Sequence, residues 1–132
     1  MQHAHATPTP ARRDLAGPAL RAFFRISERW GLGAEQERLL LGSPGRSTFF
    51  RWKRDLDGQL PRDALERISY LLGIYKALHL IFPDQDQADG WVRRPNTAPL
   101  FGGRSALDRM LGGQVADLFV VRQYLDAQRG WG

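Results

Sequence analysis

The stretch leading to Pro83 constrains this chain most. Leu65, Ile68, Leu72, Tyr75, His79 and Phe82 follow one another at steps of 3, 4, 3, 4 and 3 residues. A half-buried strand repeats every second residue, whereas this rhythm lines one side of an α-helix. Leu71, Leu78 and Ile81 broaden the stripe, and Pro83 stops it. Gly73 is the point at which one helix would bend or give way to two. The stripe is too short for a coiled coil. It serves either burial within the chain or contact with a second copy. His79 reads as a packed histidine with one hydrogen bond, because the sequence places no acid, nucleophile or second histidine to work with it.

The other segments are also helical. Pro18 suits a first helical turn, and Leu20, Phe23, Phe24 and Trp30 recur at helical spacing until Gly31 and Gly33. A second short helix runs from Ala34 to Leu41, Gly42-Ser43-Pro44-Gly45 breaks it, and a third covers Arg46 to Asp55 before the Asp57-Gly58 turn. Residues 83–104 are rich in Pro, Gly, Asp and Asn, but Trp91 and Phe101 argue for an ordered loop. Ser105 and Asp108 are spaced as a capping box for a short helix to Leu111. After Gly112-Gly113 a last helix covers Gln114 to Gln128. Nothing alternates with period two, so the predicted class is all-α.

Arg46 to Arg54, RSTFFRWKR, carries four positive charges and no acid. It follows two short helices and a turn, the layout of a helix-turn-helix. Helical spacing turns Phe49, Trp52 and Leu56 inward and Ser47, Phe50, Arg51 and Arg54 outward, with Arg46 at the N-terminal end. Arginine holds a phosphate or a guanine edge, and hydroxyls early in a helix reach phosphates or bases. The candidate DNA-binding residues are therefore Arg46, Ser47, Thr48, Arg51, Lys53 and Arg54. The turn holding Pro44 is longer than in the tightest helix-turn-helix forms. Small DNA-binding proteins of this kind commonly work as dimers, and the candidate dimerisation stripe is Leu65, Ile68, Leu72, Tyr75, His79 and Phe82.

Totals agree with that reading. The 132 residues carry a formal net charge of +5, which fits a polyanionic partner. There is no cysteine, which excludes disulfides, zinc–thiolate sites and a cysteine nucleophile. No metal site is expected: His3 and His5 fall in a predicted disordered leader, residues 1–17, and Asp84, Asp86 and Asp89 do not complete an EF-hand. With one histidine beyond the leader and no paired carboxylates beside a base, an enzyme is not expected, nor is a cofactor. No apolar run approaches a membrane span and no signal segment precedes the helices, so the expected compartment is the cytoplasm.

The last helix carries Val115, Leu118, Phe119, Val120, Val121, Tyr124 and Leu125 on more than one face. It either lies centrally in the fold or serves both a core and a partner. Trp131, beside the end of the sequence, is frayed or an anchor.

In order, these pieces resemble the Xre/MbcA/ParS antitoxin family. The resemblance rests on LLLG (39–42) and STFFRW (47–52) in the first half. In the second it rests on ERISYLLGIYKALHLIFP (66–83), W-x-x-x-P-N (91–96), FGGRSALDRMLGG (101–113) and VADLFVVRQYLDAQRG (115–130). It implies an Xre-like helix-turn-helix bundle over residues 18–60, linking or dimerisation helices over 61–83, and a small helical toxin-binding module over 84–132. It also implies a RES-domain, NAD-consuming toxin as partner, whose active site the second half blocks, and operator DNA bound by the first half to autoregulate the operon. The toxin-facing candidates so implied are Trp91, Arg94, Asn96, Arg104, Arg122, Tyr124 and Arg129. A stand-alone regulator without a toxin is the alternative.

Overall fold

The computed structural model describes residues 12–130, so His3, His5 and Trp131 lie outside the described residues. It contains α1 (Arg12–Trp30), α2 (Ala34–Leu40), α3 (Arg46–Asp55), α4 (Arg62–Ile81), α5 (Gln85–Gly90), α6 (Ala106–Met110) and α7 (Val115–Gly130). A short 3-10 turn at Trp91–Arg93 and one isolated bridge, Pro95 to Ser105, complete it; among the described residues there is no strand. The protein is all-α, as expected.

Helix α1 begins at Arg12, inside the expected leader and ahead of the Pro18 start. Ala16 is fully buried and extends the face of Leu20, Phe23 and Trp30 by another turn. The helix runs on through Pro18 although that residue has no amide to donate. Helix α4 is continuous through Gly73. A Cβ there would collide with the Arg122 guanidinium of α7, so Gly73 is a crossing point for a side chain and leaves the helix unbroken.

Helix α4 is the centre of the molecule. It packs along α7 on one side and α1 on another, and it also touches α5. Leu20 and Phe23 of α1, Phe49 of α3, Leu71 and Leu78 of α4, and Leu118 and Val121 of α7 belong to one buried cluster. The α1–α3 portion and the α5–α7 portion therefore share a single core.

Polar side chains tie the two portions further. Arg93 donates from Nε to the Trp30 carbonyl (2.9 Å) and from Nη2 to that of Gly31 (2.8 Å), satisfying carbonyls at the end of α1. Buried Arg67 donates to Asp63 (2.8 Å) and to the Gly113 carbonyl ahead of α7 (3.0 Å). His79 Nε2 lies 2.9 Å from Asp89 Oδ1, and Arg29 stands 3.7 Å from the other oxygen. An acid thus does stand beside His79, contrary to the sequence reading, because the turn at Pro83 folds α5 back against α4. Asp84 caps α5 by accepting from the Gln87 amide (2.9 Å), so Asp84 and Asp89 both have structural partners.

Candidate functional site

The α2–α3 unit is built around one tight reversal. Gly42 has φ +97°, a conformation that favours glycine, and a Cβ there would also press on the Asp63 carboxylate, 2.7 Å from Oδ2. Arg38 braces the turn by donating to the Pro44 carbonyl at 2.9 Å. Helix α3 then starts from Gly45 with no side-chain cap, which leaves its first amides open to an external acceptor. Phe49 and Trp52 anchor it in the core, as the spacing predicts. Leu56 closes it in a left-handed conformation, donating its amide to Trp52 at 2.8 Å.

Arg46, Ser47, Phe50, Arg51, Lys53 and Arg54 are exposed, and Thr48 is half-buried at their edge. Arg51 makes no hydrogen bond or ion pair among the described residues. Arg46 approaches Glu35 only loosely, at 3.5 Å. Glu35 is held mainly by a hydrogen bond from Arg38, which keeps its carboxyl below the usual range. Arg54 forms a two-point pair with Asp55, at 2.7 and 3.0 Å, and this holds the Asp55 carboxyl low. The pair is exposed, so a phosphate competes for Arg54 without a buried contact being broken.

Lys53 differs from the other five candidates. Its ammonium lies 2.7 Å from Glu37 Oε1, and Glu37 is buried. Glu37 also accepts the hydroxyl of buried Ser27, so the trio joins α1, α2 and α3. Nearby rings of Phe24 and Phe49, at 5.6 and 6.0 Å from Nζ, hold the lysine further. Lys53 sits between the outward and inward faces, and its partner lies sixteen residues upstream, a pairing that helical spacing alone does not reveal.

In the second half the structure gathers some candidates and separates others. Trp91 stacks on Tyr124 with centroids 6.3 Å apart, and Phe101 meets both edge-on at 5.9 and 5.2 Å. Asn96 shapes the loop: Oδ1 accepts the Ala98 amide (2.9 Å), and its backbone pairs with Arg104 and Gly103. Ser105 caps α6 with Asp108 answering, the capping box read from the spacing. Arg94 is exposed, donates to the Gln87 carbonyl (2.8 Å) and lies over the Phe82 ring. Arg104 extends into solvent and approaches Asp108 only at 3.8 Å. Arg122 lies across α4 at Gly73 and pairs with Asp126 at 3.0 Å. The Arg129 side chain is outside the described residues. Sequence reading missed Arg93 and Arg67 as connectors: Arg93 looks like neighbouring Arg94 until the turn at Trp91–Arg93 points them apart, and the carbonyl that Arg67 meets lies 46 residues along the chain.

The stripe on α4 is divided. Ile68 is buried, Tyr75 packs on Trp30 and His79, and Phe82 sits under Arg94. Half-buried Leu65 and exposed Leu72 line an open groove of about 330 Å³ together with Ile68 and with Leu15, Pro18 and Ala19 of α1.

An exposed basic helix set after a turn, on a body it shares with a loop-and-helix face, agrees with two family descriptions. Residues 9–73 match the antitoxin Xre-like helix-turn-helix domain, and residues 77–130 match the antitoxin Xre/MbcA/ParS C-terminal toxin-binding domain. The chain is an Xre-type antitoxin. Both domains of the antitoxin are non-enzymatic families. It is similar to the uncharacterized protein y4oB of Sinorhizobium fredii (strain NBRC 101917 / NGR234), at 58% identity over 123 residues, covering 92% of this chain and 93% of that protein. The two family matches meet between Gly73 and Ala77, within α4, so in this antitoxin one helix belongs to both. Among the described residues no helix is long and apolar enough to cross a membrane.

Proposed function

We propose that this antitoxin neutralises a RES-domain, NAD-consuming toxin in the cytoplasm and represses its own operon through α3. The observation that carries the DNA reading is the outward face of α3. Arg46, Ser47, Arg51 and Arg54 stand there together, with Thr48 at the edge, on a helix fixed from behind by Phe49 and Trp52. An α-helix fits the major groove, arginines meet phosphates or guanines, and an uncapped helix N-terminus favours a phosphate. Lys53, also exposed, completes the proposed set and at the same time holds α3 against α2.

The toxin reading rests on the family of the second half. Within it, Trp91 and Tyr124 offer part-exposed rings close together, with Arg94 and Arg104 exposed nearby in sequence. Aromatic and arginine side chains of this kind dominate the energetics of protein interfaces. Asn96 shapes the loop that carries them. Arg122 and Arg129 complete the proposed set.

Co-expression of the tagged antitoxin with the protein encoded beside it tests this reading. A RES-domain protein is expected to co-purify, and the complex is expected to shift DNA from upstream of the operon. DNA binding by an antitoxin that always elutes alone would favour the stand-alone regulator instead.

We place the homodimer contact on the part of the stripe that remains open, Leu65 and Leu72, beside Leu15 and Pro18. Leu72 is 38% and Leu15 42% exposed. Light scattering is expected to show a dimer for the native chain and a monomer for Leu72→Arg, each with unchanged helicity. A native monomer at high concentration would refute the dimer.

A further inference from the structure

We infer that Phe50 reads the methyl group of a thymine in the operator, and so helps set which DNA this antitoxin selects. The inference rests on the proposal that α3 binds DNA. Phe50 is 49% exposed, which is unusual for a side chain whose ring favours burial. Other apolar side chains are also exposed, but Phe50 stands apart in its surroundings. Ser47, Arg51 and Arg54 share its side of α3, with Arg46 one turn back. The nearest acid on the helix, Asp55, is already paired with Arg54. A protein partner docking on this ring would have to cover a basic rim, whereas the DNA backbone supplies phosphates to meet it. The ring is also held in place: it meets buried Phe49 edge-on, with centroids 5.0 Å apart. That contact limits the ring's freedom before any DNA is bound.

Thymine alone among the four bases presents a methyl group in the major groove, and apolar side chains recognise it by contact. An exposed ring on the face of a groove-entering helix, flanked by arginines, has the chemistry for that contact. The arginines supply affinity and register, and Phe50 supplies a preference among bases.

The test uses the full antitoxin and a duplex from upstream of its own coding sequence, made either with thymine or with uracil in place of every thymine. Uracil keeps the pairing and charge and lacks only the methyl. The native chain is expected to bind the uracil duplex more weakly, by about fourfold for each methyl contacted. Phe50→Ala is expected to bind the thymine duplex less tightly than the native chain, with a thymine-to-uracil ratio near one. Its salt dependence should match that of the native chain, since no phosphate contact is lost. Phe50→Leu, which keeps an apolar tip, should retain part of the ratio. Co-purification of each variant with the toxin at the native level checks that it is folded. An unchanged ratio in Phe50→Ala, native-like DNA affinity in that variant, or a loss of toxin binding without loss of DNA binding would overturn the assignment. A native chain that shifts neither duplex would defeat the DNA-binding proposal itself, and the assignment with it.

Discussion

Leu118→Asp is expected to abolish DNA binding as well as toxin binding, although Leu118 lies far along the chain from α3. Leu118 is fully buried on α7, the helix that lies along α4. Helix α4 in turn holds α1, against which α3 packs. A carboxylate at that position would be buried within the apolar cluster. Burying an unpaired charge costs several kcal/mol or more, and a domain of this size has only about 5–15 kcal/mol of net stability. The variant should therefore lose its helical circular dichroism and fail to shift operator DNA at any concentration that saturates the native chain. Two self-sufficient halves would behave otherwise: the first would stay folded and keep its DNA affinity. Removing everything after Gly113 takes away α7 whole and should have the same outcome, so substitutions on the surface are the better way to separate the two activities.

Arg51→Glu is the complementary case, expected to damage DNA binding and nothing else. The Arg51 side chain is exposed and makes no hydrogen bond or ion pair among the described residues. One arginine contact to DNA contributes about 1–3 kcal/mol, and reversing the charge adds repulsion from neighbouring phosphates, so the loss should reach about a hundredfold. The dependence of affinity on salt should also become shallower by at least about one unit of slope. Thermal stability and toxin co-purification should remain at the native level. Equal loss of toxin binding would contradict the assignment of α3 to DNA.

The fold was legible wherever local chemistry decides it. The Gly42-to-Gly45 break, the Arg46–Asp55 helix, the Ser105 cap and the stop at Pro83 each follow from a few adjacent residues. The inward Phe49 and Trp52 follow from helical spacing. What was not legible depends on contacts between distant residues. Gly73 reads as a helix breaker until Arg122 is seen to cross it. Pro18 reads as a start because the burial of Ala16 shows only in three dimensions. Lys53 looks like its neighbours on a basic helix and is exposed like them, and only the position of Glu37 shows that it also ties α3 to α2. The α4 stripe has one period but several environments, because α1 and α5 cover parts of it and leave Leu65 and Leu72 open. The shared core across α4 is the largest such feature, since the sequence reads as two modules and packing joins them.

The most direct test of the antitoxin's proposed role is NAD consumption by the RES-domain protein encoded beside it, measured as purified antitoxin is added. Consumption is expected to fall in proportion to added antitoxin and to stop once the toxin is saturated. Arg51→Glu should do the same and Leu118→Asp should have no effect. Undiminished NAD consumption at a large excess of folded native antitoxin would contradict the account.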